Sequence, residues 1–231
     1  LCAADEPAAR AAATAAFARV GELNRLMSDY DPQSELMRLE RQPAGTAVVV
    51  SAELFDVLQR SQRLAAASDG AFDVTLGPVV RLWREARRTR RRPTDSERDA
   101  ARRTVGHEKL RLDPAKRTVT LLAPGMQLDL GGIAKGFAAD EALAVLHRLG
   151  FAQAMVAASG DLALGDAPPG APGWKVEIAP FKQPLPEPLV LVAANVGIST
   201  SGDTEQFVEI GGVRYSHIVD PATALGLTAP V

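Results

Sequence analysis

The chain has 231 residues, 46 % of them apolar and 23 % charged, the balance of an ordinary globular protein rather than a disordered one. Its net charge of −2 gives no global polyelectrolyte signal for nucleic acid, and its 19 Gly and 16 Pro follow no collagen period. Cys2 is the only cysteine, which excludes a disulfide framework, a cysteine zinc site and a CxxC redox pair, and no run of about 18 apolar residues offers a membrane-spanning helix.

Leu1 rather than Met opens the chain and Cys2 follows it, so a removed leader or a trimmed start is expected, and with it export to a periplasm-like compartment. A Cys beside a lost leader is also where a lipid anchor attaches, although Leu1 stands where a small residue is usual. A cytoplasmic protein is the alternative.

Residues 8–28 are Ala-rich, with Phe17, Val20, Leu23, Leu26 and Met27 spaced for one apolar helical face. Asp31-Pro32 ends that helix, and a short helical stretch is predicted over 34–39. Val48, Val49 and Val50 read as strand. Ser51 then caps a helix facing inward through Leu54, Val57, Leu58, Leu64 and Ala65, with Gly70 at the C′ position that ends it. Between 81 and 103 ten arginines meet four acids, a local net of +6 against −8 for the rest. No aromatic or Gly interleaves after Trp83, and Asp95, Glu97 and Asp99 dilute the charge. A solvated loop and helix is expected there, with no nucleic-acid partner.

From Lys116 onward short strands dominate, over 118–122, 127–130, 153–157, 174–178 and 189–196, with one helix over 134–149 closed by Gly150. Gly211-Gly212, between Glu209 and Tyr215, marks a hairpin turn. Residues 168–173 read as a loop, and 226–231 as a loop entering a strand. Strands outnumber helices in the second half without alternating with them, which predicts an α+β fold with a largely antiparallel or mixed sheet and flanking helices.

Four clusters carry residues that packing does not need. Residues 30–35 form a polar turn bearing Tyr30, in which Ser34 could simply cap the next helix. Residues 69–75 place Asp69 and Asp73 around Gly70, as a turn or as a pair of working carboxylates. Residues 128–136 run from a predicted strand through Gly131-Gly132 into a helix start with Lys135 in its first turn. A Lys there opposes the helix dipole unless an anion is present, so this reads as a phosphate cradle or a tight strand–helix turn. It matches neither the Walker A loop nor GxGxxG. The fourth cluster is 199–203 followed by 215–221, where His217 lies beside the hairpin with hydroxyls and a carboxylate nearby in sequence. Histidine is the side chain best suited to general-base work at neutral pH.

The segments MSDYDPQSEL (27–36), SDGAFDVTLGPVVRLW (68–83), LDLGGIAKGFAAD (128–140), SGD (159–161), STSGD (199–203) and YSHIVDPAT (215–223) together resemble one family, the flavin transferases known as ApbE or FAD:protein FMN transferases. The resemblance implies a single ApbE-like, T-fold-like domain over 1–231. It also implies a bacterial enzyme that binds FAD with Mg²⁺ and moves the FMN half onto a Thr hydroxyl of an acceptor protein, releasing AMP. The acceptor is expected to be a membrane redox subunit facing the same compartment. By the same resemblance Tyr30 helps hold FAD, and Ala71, Phe72 and Asp73 match the cofactor-side Ala-Phe-Asp of the second motif. Asp129 would bind the nucleotide, Lys135 is the Lys of the helix start, and Gly132 offers its main-chain carbonyl to the metal. His217 would activate the acceptor hydroxyl, with Ile218 beside the cofactor.

Three departures from the family pattern matter. ApbE sequences continue beyond the point matching Val231 into a segment whose Asp and, four residues on, Thr complete the Mg²⁺ site. A 231-residue polypeptide is therefore expected to bind Mg²⁺ poorly and to transfer FMN slowly or not at all. Ser159 stands where Gly is common before Gly-Asp, and Glu40 where Asn usually ends the first motif. Two other functions stay open: an FAD pyrophosphatase that uses water as acceptor, giving FMN and AMP, and a non-catalytic FAD-binding protein.

Overall fold

The computed structural model describes residues 1–178, 189–202 and 206–228. Asp203, the last residue of the STSGD segment, lies outside them. The helices are α1 (Glu6–Met27), α2 (Glu35–Glu40), α3 (Ala52–Ala67), α4 (Gly77–Thr89), α5 (Asp95–Arg102) and α6 (Ala134–Arg148). The strands are short: β1 (Val48–Val49), β2 (Leu110–Asp113), β3 (Thr118–Leu121), β4 (Met155–Ala158), β5 (Asp161–Leu164) and β6 (Trp174–Ile178) come first. They are followed by β7 (Leu189–Ala193), β8 (Val196–Ser199), β9 (Phe207–Ile210), β10 (Val213–Ser216), β11 (Val219–Asp220) and β12 (Leu225–Gly226). Every strand pair among the described residues is antiparallel, as the α+β reading expected. The chain groups into two compact units, one of Leu1–Leu23 with Ala134–Ser201 and one of Asn24–Ile133 with Gly202–Val231.

In the first unit α6 packs on the β4–β5–β8 sheet, and β6 pairs with β7. Its core joins Ala12 and Ala16 to Ala142, Val145, Leu146 and Ala154. Small residues let backbones approach, and the alanines rather than Phe17 set the buried face of α1. Ala12, Ala16, Leu23 and Met27 are buried, whereas Phe17 is 77 % exposed. At about 100° per residue, Phe17 points about 110° away from the middle of that face. The expected apolar stripe thus loses Phe17, while Leu23 and Met27 are buried and Val20 packs against the core. Arg19 and Glu141 clamp α1 to α6 at 2.6 Å. Gly150 ends α6 as expected: at φ 89° its N–H reaches the His147 carbonyl, while the Phe151 N–H reaches that of Leu146.

In the second unit β1, β3 and β2 form a sheet, and β9 with β10 form the predicted hairpin. Gly211 (φ 59°) and Gly212 (φ 76°) supply the two positive φ angles that its turn demands. A core of Leu76, Val79, Trp83 and Ala86 from the α4 region, with Ala101, Val208, Tyr215 and Ala224, unites α4, α5 and the hairpin. The Trp83 indole N–H donates to the Ala224 carbonyl at 2.9 Å, and its ring lies 4.9 Å from that of Tyr215.

Local signals set several boundaries. Ser34 and Ser51 cap α2 and α3, accepting the N–H groups of Met37 and Leu54. Thr94 and Glu97 form a reciprocal capping box on α5. The arginine-rich segment is two helices and a turn, and ion pairs such as Arg88–Glu85 and Arg91–Glu97 join its exposed side chains, in line with a solvated face. Three details differ from expectation. Leu64 is 43 % exposed and Ser61 takes the buried face of α3, donating to the Val57 carbonyl. Asp69 (φ 52°), not Gly70, occupies the C′ position of α3, and the Gly70 N–H makes the following bond to the Ala65 carbonyl. Residues 127–130 are not a strand, because their N–H groups find partners outside any ladder: Asp129 donates to the Val74 carbonyl at 2.7 Å and Leu128 to the Glu40 carboxylate at 2.7 Å.

Candidate functional site

The loop between α1 and α2 is organised by its own short side chains. Ser28 Oγ accepts the N–H groups of Tyr30 and Asp31, Asp31 accepts that of Gln33, and Ser34 donates back to the Ser28 carbonyl. The capping reading of this turn is therefore correct for Ser34. Its consequence is that Tyr30 is held out of the core, 77 % exposed. Arg84, from the exposed side of α4, lies with its guanidinium 4.7 Å from the centre of the Tyr30 ring.

Arg84 is fixed from two sides. One terminal nitrogen pairs with Asp29 and the other donates to Asp129 Oδ2 at 2.8 Å. Asp129 Oδ1 accepts the Gly131 N–H at 2.8 Å, closing a turn at the head of the Gly131-Gly132 pair. Burial pushes the Asp129 carboxyl above its usual range, the Gly131 N–H and Arg84 work against that, and Asp29 adds to it. The result is an exposed aromatic ring backed by a guanidinium whose nitrogens are committed to two carboxylates.

Phe72 and Gly132 are also brought together. A side chain on Gly132 would begin 3.1 Å from the Phe72 ring, so the glycine makes room for it. Ala71 and Phe72 follow the α3 turn, with N–H groups bonded to the carbonyl and hydroxyl of Ser68 respectively. Asp73 points into the fold: buried, it caps a 3₁₀ turn by accepting both the N–H and the hydroxyl of Thr75, which in turn accepts the Gly106 N–H. Asp69 serves the end of α3 through its backbone, at φ 52°, whereas Asp73 caps the 3₁₀ turn through its carboxylate.

His217 follows β10 and is exposed. Its Nδ1 and its backbone N–H both reach the Gln206 carbonyl at 3.0 Å. A ring nitrogen facing a carbonyl must carry the proton, which leaves Nε2 of the neutral ring as the free base. Asp220 does not orient this ring: its carboxylate accepts the Ala222 N–H and the Thr223 hydroxyl and closes the following turn. Ile218 is half-buried, its N–H bonded to Ser216 Oγ.

Lys135 lies in the other unit, in the first turn of α6. Its ammonium is 3.5 Å from Asp161, which also accepts the Ser199 hydroxyl. An anion does sit beside this lysine, as the dipole argument required, and among the described residues it is the Asp161 carboxylate. Half the Lys135 side chain remains exposed. Among the described residues no group of three or more His, Cys, Asp or Glu side chains is placed to hold a metal ion. Gly132 has a single main-chain carbonyl to offer, so these residues do not by themselves fit a cation cage.

Arg84, Asp29 and Asp161 were not singled out from the sequence. Arg84 is hidden among ten arginines of one segment, and only its distant partners distinguish it.

The family model described as "ApbE family" matches residues 3–230. The FAD:protein FMN transferase of Vibrio cholerae is 33 % identical over 205 residues, which cover 87 % of this chain and 61 % of that protein. That of Haemophilus influenzae is 32 % identical, covering 87 % and 60 %. The chain thus spans about three-fifths of the length of these relatives. Among solved structures, the Vibrio cholerae flavin transferase ApbE superposes with a TM-score of 0.85 at 31 % identity, covering 97 % of this chain and 71 % of that one. The apo flavinyl transferase ApbE of Pseudomonas stutzeri gives 0.85 at 29 %, covering 98 % and 70 %. The fold, the ordered motifs and the match over nearly the whole length agree: this chain belongs to the ApbE family.

Proposed function

We propose that this protein transfers FMN from FAD to a threonine hydroxyl of an acceptor protein and releases AMP. The observation that carries the reading is the exposed Tyr30 ring stacked on Arg84, itself held by Asp29 and Asp129. A large aromatic ring kept rigid and wet is poorly placed for stability and well placed to receive a planar ring system. In the reaction the threonine oxygen bonds to the FMN phosphorus while the phosphorus–oxygen bond to AMP breaks, and AMP leaves with that electron pair. The hydroxyl proton passes to His217 Nε2, the nitrogen left free by the Gln206 contact. By the family resemblance Lys135 is the Lys of the motif's helix start, a cation suited to offsetting phosphate charge. Mg²⁺ dependence belongs to the proposal as the family expectation. The described side chains do not by themselves build a cation cage.

We place the acceptor among membrane redox subunits and the reaction on the exported side of the membrane, as the family resemblance suggests. The exposure of His217 favours a second reading, in which water replaces threonine and the products are FMN and AMP. The test combines the purified chain, FAD, Mg²⁺ and a Thr-containing acceptor peptide, read by mass spectrometry. An FMN-sized mass gain on the peptide that is lost in His217→Ala supports transfer. AMP release without a peptide adduct selects the pyrophosphatase. FAD binding with neither product selects a flavin-binding protein.

A further inference from the structure

We infer that Glu40 is a positioning residue for Asp129, acting through the backbone of the 127–129 segment. The inference rests on the reading above, in which Asp129 belongs to the FAD site. Glu40 ends α2 with its side chain 5 % exposed. Its Oε1 accepts the Leu128 N–H at 2.7 Å, and its Oε2 accepts from Arg81 at 3.2 Å. A carboxylate withdrawn this far from water is costly unless each oxygen is engaged, and both are.

The segment it holds is gripped residue by residue. Gln127 lies against Gly77, where a side chain would begin 2.6 Å from the Gln127 carbonyl oxygen. Leu128 is held through its N–H by Glu40, and its side chain is buried. The Asp129 N–H is held by the Val74 carbonyl at 2.7 Å. Two consecutive peptide planes, 127–128 and 128–129, are therefore oriented by partners outside the segment. Planar peptides leave only φ and ψ at each residue, so this aims the Asp129 side chain at Arg84. Neither Asp129 nor Arg84 touches Glu40 through these contacts; the coupling runs along the main chain. Burial also pushes the Glu40 carboxyl above its usual range, while the Leu128 N–H and Arg81 work against that.

The test is a double-mutant cycle of Glu40→Met and Asp129→Asn, read as FAD affinity by flavin fluorescence on the full chain at 25 °C. Circular dichroism confirms folding. Glu40→Met removes the acceptor at nearly constant volume and is expected to weaken FAD about tenfold when Asp129 is present, but less than about twofold in Asp129→Asn. Glu40→Gln keeps an oxygen for the Leu128 N–H and is expected to stay within about threefold of the parent, with slow hydrogen exchange at that amide retained. Equal losses from Glu40→Met in both backgrounds would overturn the inference while leaving Asp129 in the site. An unchanged affinity in Asp129→Asn would overturn the site reading and the inference with it. Should Glu40→Met fail to fold, Glu40→Gln decides: a tenfold loss with the Leu128 amide still protected would refute positioning through that hydrogen bond.

Discussion

Replacing Gly77 by Ala tests how tightly the Asp129 segment is held. The new methyl would lie 2.6 Å from the Gln127 carbonyl oxygen, 2.7 Å from its carbon and 2.9 Å from its Cβ, against 3.4 Å for ordinary contact. About 0.8 Å must be found, and neither side yields easily. Gly77 begins α4, which is anchored two and six residues on by the buried Val79 and Trp83. Gln127 precedes the two bonds from Glu40 and Val74. Overpacking of this kind costs about 1–3 kcal/mol. Ala for Gly returns about 0.5–1 kcal/mol by restricting the unfolded chain. A net loss of about 1–2 kcal/mol is expected, or about 2–8 °C in Tm for a chain of this size. FAD affinity should fall as well, because the displaced residue lies two before Asp129. Urea unfolding and FAD titration measure both effects. Gly21→Ala is the control: nothing lies within 4 Å of its would-be methyl inside α1, so stability should rise by about 0.5–1 kcal/mol. A Gly77→Ala protein at least as stable as the parent, with unchanged FAD affinity, would refute the argument.

Trp83→Phe removes the donor to the Ala224 carbonyl and some buried ring area, and should cost about 2–3 kcal/mol by urea unfolding; a loss under about 0.5 kcal/mol would show that bond to be idle. Asp129 has a carboxyl raised by burial, so its folded form favours the proton and its ionisation weakens the fold as pH rises through the raised pKa. Asp129→Asn should therefore keep or raise Tm at pH 7 while weakening FAD binding, and a clear drop in Tm would contradict this. Glu97 is pulled down to about 2 by its hydrogen bonds to Arg91 and Thr94. Its contribution to α5 is thus complete above the ordinary glutamate range of about 4.3 and is lost as pH falls toward 2; a carboxyl NMR titration near 4 would refute it.

Much of the fold lies within a few residues of its own signal. Ser34, Ser51 and Thr94 cap helices whose first turns they adjoin, Gly150 closes α6, and Gly211-Gly212 turn a hairpin, because each device satisfies backbone groups three or four positions away. The six ordered segments likewise identified the family, and the match over 3–230 agrees. Where the sequence misled, a distant partner had intervened. Phe17 and Leu64 have the right period, but alanines and Ser61 took the buried faces once neighbouring elements packed. Residues 127–130 have the composition of a strand, yet their N–H groups are claimed by Val74 and by Glu40, 88 residues from Leu128.

The same division runs through the site. Tyr30, Asp129, Lys135 and His217 could be named from the motifs that carry them. Their surroundings could not: Arg84 joins Asp29 and Asp129 across 55 and 45 residues, and the Asp161 carboxylate stands beside Lys135. Asp73 and Asp220 each accept two hydrogen bonds from groups of their own turns, contacts that the motifs did not announce. Sequence determines which groups are present and how the chain turns locally. Which carboxylate pairs with which cation, and which arginine backs the exposed ring, is decided by hydrogen bonds and burial between segments that only the tertiary structure brings within reach.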